Sequence, residues 1–161
     1  MAYTRKRTAK RDRPKNRTCY ETAVYLLQFR DQSEKDLTRK LKERQYTEKE
    51  IEEAMERLKD YEYVNDENLA DELFEAYRRR AQYGDAYIHQ KLKLKGLATE
   101  KHLQLEEEIE MAAALLQKKW GMSPKLRTDF KKSASFLLRR GFSHDAVMTV
   151  MHEMDLEEIE E

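Results

Sequence analysis

Turn formers are scarce in this sequence, with four glycines and two prolines in 161 residues. A β-sandwich or barrel needs many tight turns, so an all-β fold is not expected. The single cysteine, Cys19, removes an intramolecular disulfide framework and any cysteine-based zinc site. Cys19 has no histidine close in sequence to serve as a base, and it reads as a small packing residue. Long apolar runs are missing too. The longest, Met111 to Leu116, falls far short of the ~20 residues of a membrane span. The N-terminus is basic and polar where a signal peptide would be apolar. The expectation is a soluble, cytoplasmic protein without membrane contact. There is no GxxxxGK[ST], GxGxxG or HExxH string, so phosphate-cradling loops and metalloprotease helices are unsupported. His89, His102, His144 and His152 show no ligand spacing with one another. Acidic groups such as Glu52-Glu53 and Glu106-Glu107-Glu108 read as solvated helix faces. Neither enzyme activity nor a metal or cofactor is expected.

What the chain does contain is charge. Lys, Arg, Asp and Glu make up 40% of it, 32 basic against 32 acidic, for a net charge of zero. The balance hides an asymmetry. Residues 1–17 carry eight basic side chains and one acid and read as a disordered basic arm. Residues 118–140 carry eight basic residues against the single acid Asp129. Residues 152–161 hold six acids and no Lys or Arg, an acidic C-terminal tail.

High Glu, Lys, Arg, Leu and Ala with little Gly and Pro points to helices, and the apolar spacing agrees. Tyr20, Ala23, Val24 and Leu27 follow the i, i+3, i+4, i+7 pattern. Ser33 is placed as an N-cap before Leu37 and Leu41, and Thr47 with Glu50 forms a capping box before Ile51, Ala54, Met55 and Leu58. A second cycle opens at Asn65 or Asp66, with Leu69, Leu73, Ala76 and Tyr77 facing inward, and Gly84 stops it. Asp85 is expected to cap a helix bearing Ile88 and Leu92, which Gly96 ends, and Thr99 to start a short third helix. In the third cycle Leu105, Ile109, Ala112, Ala113 and Leu116 line a long helix ended by Gly121. Ser123-Pro124 then opens a helix carrying Leu126, Phe130, Ala134 and Leu137. Ser143 caps the last helix, with Ala146, Val147, Val150 and Met151 inside.

About nine helices in three cycles suggest an internal repeat. Leu41, Leu92 and Leu137 align, each followed five residues later by Tyr46, Leu97 or Phe142. Gln45, Gly96 and Gly141 stand just before those, and Arg44, Lys95 and Arg140 before these. The expected fold is all-α: tandem three-helix repeats over 18–64, 65–105 and 106–151, stacked into an elongated, curved body. Such a shape suits a long partner rather than a small ligand.

Basic residues gather near expected helix C-termini, as Arg78-Arg79-Arg80, Lys118-Lys119 and Arg139-Arg140. The helix dipole alone favours cations there by about 0.3–1 kcal/mol each. That accounts for their position and not for their accumulation in 118–140. The candidate binding residues are therefore Arg78, Arg79, Arg80, Lys91, Lys95, Lys131, Lys132, Arg139 and Arg140.

Four strings in order carry a family resemblance. They are Tyr25-Leu26-Leu27 to Arg30 with Ser33-Glu34, Leu37 and Lys40-Leu41; Tyr63-Val64-Asn65-Asp66-Glu67 with Leu69-Ala70; Leu92 with Lys95-Gly96-Leu97; and Phe136-Leu137-Leu138-Arg139-Arg140-Gly141-Phe142-Ser143. In these the chain resembles the RecX family of RecA recombinase modulators, over about residues 20–151. The departures are Gln45 where the other repeats have glycine, and polar His102 where Ile51 and Val147 align. The resemblance implies binding to RecA and lengthwise along the groove of the RecA–DNA filament. It further implies inhibition of filament growth, ATP hydrolysis and strand exchange, and so a role in homologous recombination, DNA repair and the SOS response. A monomer with at most weak, non-specific phosphate contact to DNA is expected. Two other readings stand beside this one: a helix-turn-helix-like DNA-binding protein, and a helical-repeat scaffold for another protein partner. The first would need a base-reading helix with Arg, Asn or Gln at its start, whereas the helices after Thr47, Thr99 and Ser143 open with Glu, Glu-Lys and His-Asp.

Overall fold

The computed structural model describes residues 16–160, with side chains to Asp155. Among them are eight α-helices: α1 (Cys19–Leu27), α2 (Glu34–Glu43), α3 (Glu48–Asp60), α4 (Asp66–Arg80), α5 (Asp85–Leu94), α6 (Leu105–Met122), α7 (Phe130–Arg139) and α8 (His144–Glu160), with one 3₁₀ turn at Pro124–Leu126. No strand occurs among the described residues. The contacts divide the chain into two compact units, one reaching Leu69 and the other starting at Ala70. The basic arm expected at 1–17 lies outside the described residues except for its last two positions.

The first unit is a helix triad. Thr18 and Glu21 form a reciprocal cap on α1, Ser33 caps α2, and Thr47 with Glu50 does the same for α3. These satisfy backbone N–H groups that a helix start leaves unpaired. Leu26, Leu37, Leu41, Ile51, Ala54, Met55 and Leu58 are buried together with Cys19. Tyr46 joins them through its ring, and its hydroxyl meets Thr22 Oγ1 at 2.7 Å and donates to the Arg17 carbonyl at 3.0 Å. The end of the basic arm is thus tied to this core, and the Arg17 guanidinium lies 4.4 Å over the Tyr25 ring.

The second unit departs from the expected pattern in several places. The buried residues of α4 are Ala70 and Phe74, while Leu69, Leu73, Ala76 and Tyr77 are half-buried. The face is rotated by one position, because Phe74 is the larger apolar group and takes the centre. Gly84 does not stop this helix. Ala81, at φ +51, turns the chain away, and Gly84 is the N-cap of α5. Asp85 is therefore the first helical residue rather than the cap, and its carboxylate points elsewhere.

The short helix expected after Thr99 is not formed. Residues 97–104 form no regular element and bend at Glu100, pinned by Thr99 Oγ1 donating to Asp71 at 2.6 Å and by Leu103 N–H donating to Asp85 Oδ1 at 2.7 Å. Leu97 and Leu103 are buried without helical periodicity. Among the described residues the helices therefore number eight rather than about nine.

In the third cycle α6 runs through Gly121 to Met122, where Gly121 is exposed and tolerated. Ser123-Pro124 opens only the 3₁₀ turn, without a side-chain cap. The next helix starts at Phe130, where Asp129 accepts from the Lys132 N–H. Leu105 and Phe130, expected inside, are 44% and 45% exposed because each is the first residue of its helix. Met154 extends the buried stripe of Val147, Val150 and Met151 by another turn. The acidic tail expected from residue 152 thus begins on α8 itself, which continues to Glu160.

The aligned turns coincide in detail. Gln45, Gly96 and Gly141 have φ of +66°, +73° and +85°. The residue before each donates to the aligned leucine carbonyl: Arg44 to Leu41, Lys95 to Leu92 and Arg140 to Leu137. The three leucines are at most 1% exposed, and Tyr46, Leu97 and Phe142 at most 4%. Each helix ends on a left-handed residue, after which an apolar side chain plugs the core.

Candidate functional site

Nine basic residues were candidates, and the fold sorts them by what surrounds each. Arg78 is committed within its own unit. Its Nε donates to Glu107 Oε1 at 2.7 Å, a second guanidinium nitrogen reaches the same oxygen, and Glu75 lies 3.6 Å away. The Glu107 hydrogen bond holds the Arg78 pKa above its ordinary value. Glu107 is held below the usual carboxylate range, first by the Gln104 N–H it accepts and then by Arg78. Glu107 therefore belongs to an ion pair rather than to a solvated face.

Arg80, Lys91 and Arg140 converge on a group of aromatic rings in the second unit. Tyr83 and Tyr87 stack at 3.9 Å with 6° between their planes. Tyr77 meets both edge-on, at 6.1 and 6.3 Å. The Arg140 guanidinium lies 5.3 Å over Tyr83 and 5.2 Å over Phe136, Lys91 5.1 Å over Tyr87, and Arg80 5.9 Å over Tyr77. Lys119 lies 5.5 Å over Phe136. Each such contact is worth about 0.5–1 kcal/mol where water reaches it. Their larger effect is positional, since flat rings hold long cationic side chains in place and leave their N–H groups for an anionic partner. Arg140 also donates to the Gln82 carbonyl at 3.3 Å. The rings were not legible in the sequence as a set. Tyr83 and Tyr87 have helical i, i+4 spacing, but Gly84 separates them and only Tyr87 is on α5.

The remaining candidates stand apart. Lys131 and Lys132 are exposed in the first turn of α7, not at a C-terminus. The helix dipole disfavours cations there, and Asp129 offsets this for Lys132 at 3.2 Å. Asp129 is held below the ordinary carboxylate range by the Lys132 N–H and then by its side chain. Arg139 is exposed and donates to the Ser135 carbonyl of its own helix. Arg79 is exposed and Lys95 half-buried on the turn after α5.

Two features escaped sequence reasoning. Glu108 is 4% exposed. Its carboxylate accepts from Asp85 N–H at 2.9 Å and from Ser143 N–H at 3.3 Å, capping α5 and α8 together. Beside it Gly84 N–H donates to the Arg140 carbonyl at 2.8 Å. A Cβ on Gly84 would lie 2.3 Å from the backbone of Gly141 and Phe142, and one on Gly141 2.4 Å from Tyr87. Both glycines serve this crossing, and the crossing sets Arg140 against Tyr83. The second feature is a histidine pair. His89 and His102, distant in sequence, stack at 4.5 Å beside Asp85.

Comparison with known proteins bears on most of the chain. Residues 19–58 match the first three-helix domain of RecX, and residues 106–151 match the third. The regulatory protein RecX of Actinobacillus pleuropneumoniae serotype 5b (strain L20) is 34% identical over 142 residues, covering 81% of this chain and 88% of that one. The regulatory protein RecX of Haemophilus ducreyi is 32% identical over 150 residues, covering 88% and 94%. The crystal structure of RecX from Lactobacillus salivarius superposes with a TM-score of 0.74 at 25% identity, over 86% of this chain and 95% of that one. Among the described residues no helix is long and apolar enough to cross a membrane.

Proposed function

This chain belongs to the RecX family of regulatory proteins, and from that premise we propose that it binds RecA and the RecA–DNA filament and restrains filament growth, ATP hydrolysis and strand exchange. It does so by occupancy, without a reaction of its own. Three helical repeats, 18–64, 65–105 and 106–151, lie along successive filament subunits and obstruct the groove a second DNA must enter. The observation that carries this reading is the gathering of Arg80, Lys91 and Arg140 on the Tyr77–Tyr83–Tyr87 rings, which presents cations in fixed positions to an acidic protein surface or to phosphate. Lys131 and Lys132 support it as well, because the helix dipole disfavours cations in the first turn of α7, an effect that Asp129 offsets for Lys132. The anion contacts are electrostatic and carry little base preference.

The test is RecA ATPase on single-stranded DNA, with and without the protein, at two salt concentrations. The parent is expected to slow hydrolysis, and less so at higher salt as exposed charge contacts are screened over ~8 Å near physiological ionic strength. A Lys131/Lys132/Arg139→Gln variant is expected to melt within about 0.5 kcal/mol of the parent and to inhibit less. A parent without effect on the ATPase overturns the proposed function. An inhibiting variant with an unchanged salt response overturns the role given to these three cations.

A further inference from the structure

The irregular segment 97–104 stands where the other repeats carry a helix, and it brings a histidine onto the face of α5. Asp85 and His89 occupy positions one turn apart on that helix, and His102 approaches them from the segment. The His102 Nδ1 is 2.8 Å from Asp85 Oδ2, and the His89 Nε2 is 3.5 Å from the same oxygen. One donor atom from each residue lies within 4.8 Å of the others. We propose that Asp85, His89 and His102 form a binding site for a divalent transition metal, zinc by class, with water completing its coordination.

The donor set is the first ground. Two imidazole nitrogens and one carboxylate oxygen are a three-ligand combination that zinc accepts with an open fourth position, and imidazole discriminates against magnesium and calcium. Spacing is the second. Metal–ligand bonds of 2.0–2.2 Å in a tetrahedron place donors about 3.3–3.5 Å apart. The Asp85–His89 pair already has that separation. The Asp85–His102 pair is a hydrogen bond and must open by about half an ångström, which His102, with 59% of its side chain exposed outside any helix, has room to do.

The surroundings supply the third ground. Asp85 Oδ1 accepts the Leu103 N–H at 2.7 Å, which fixes the carboxylate and turns Oδ2 toward the two rings, the outer support that ligating carboxylates commonly receive. Lys101, next to His102, directs its ammonium to Glu75 at 3.1 Å. Binding has a stated structural consequence. The imidazoles now lie stacked with 22° between their planes, so their in-plane lone pairs do not meet at one point. The rings must leave the stack, and His89 must release its 3.0 Å contact with the Lys101 carbonyl. The metal would then fasten the segment to α5, in place of the helix packing that the other two repeats have.

The full chain, freed of metal, would be titrated with Zn²⁺ by calorimetry and with Co²⁺ by visible absorption. One equivalent is expected to bind and to raise the melting temperature. His102→Gln is expected to weaken binding on the order of tenfold or more and to abolish the thermal shift, whereas His144→Gln, at an exposed position on α8, changes neither. Proton NMR of the parent keeps the test independent of how the variants fold: Zn²⁺ should shift the ring resonances of His89 and His102 and spare those of His144 and His152. Absence of saturable one-equivalent binding overturns the site, as does binding that His102→Gln leaves unchanged or resonance shifts confined to other histidines.

Discussion

At the scale of single residues, Glu108 departs furthest from what its sequence context indicates. It belongs to an acidic run in the first turn of α6, where a carboxylate is ordinarily solvated. Here it is buried and caps two other helices. Burying a carboxylate is costly unless hydrogen bonds satisfy it, so its two N–H donors are what make the position tenable. Removing the acceptor leaves both donors unpaired, at about 1–3 kcal/mol each. Glu108→Ala is therefore expected to lose roughly 2–6 kcal/mol in urea unfolding. Glu108→Gln, which keeps one carbonyl acceptor, should lose less. Equal stability of Glu108→Ala and the parent would sink the capping role. Sequence could not show this, because the donors come from residues 23 and 35 positions away and no periodicity links them. The same holds for His102, which comes 17 positions after Asp85 to join the Asp85–His89 pair on α5. By contrast, Leu41, Leu92 and Leu137 were legible, since each sits on an apolar stripe and is followed at the same distance by a large apolar side chain.

Between residue and molecule lie the elements, and here the sequence was readable wherever capping and periodicity were local. Ser33, Thr47 and Glu50 start helices as their side chains dictate. The stripe of α3 is buried as its spacing requires. Where a long-range contact competes, local reading gives way. Asp85 is a good cap by residue type, but the crossing of Gly84 with Gly141 fixes the chain one residue earlier. The shift frees the carboxylate for Leu103 and His102. Thr99 is likewise a plausible cap, but its hydroxyl donates to Asp71 and accepts the N–H of Lys101, two residues on, and no helix follows. The three left-handed helix ends show the reverse situation, a single geometry reached by different residues. Gln45 adopts a φ that glycine adopts without strain, and the plug of Tyr46 holds it there. If the ends are equivalent, their leucines should be too. Leu92→Ala is expected to destabilise by about 2–5 kcal/mol, as core leucines do, against under ~0.5 kcal/mol for Lys49→Ala on the exposed face of α3. Thermal melts of the two variants check this, and a parent-like Leu92→Ala would break the alignment of the repeats.

For the molecule as a whole, the all-α architecture and the RecX membership were both carried by sequence, through four ordered strings and a threefold pattern of aligned leucines. The division into units was not. Three repeats were visible along the chain, whereas contacts group the described residues into two bodies, because Glu108, Gly84 and Gly141 bind the second and third repeats into one. Repeat arrays commonly tolerate loss of a terminal repeat, since each touches only its neighbours. This one should not. A chain ending at Gln104 lacks both the acceptor for the Asp85 N–H and the carbonyl that receives Gly84. Its α5 amides are expected to exchange freely with deuterium while those of α2 and α3 stay protected, and protected α5 amides would show that the second repeat stands without the third. The crossing also has a meaning in time. On a ribosome the first unit has all its own partners once Leu69 has emerged, and domains completed early can fold while synthesis continues. The second unit cannot close when α5 appears. It waits for Arg140 and Ser143, more than forty residues after α5, so a ribosome that stalls in between would hold a finished first unit and an unfinished second one.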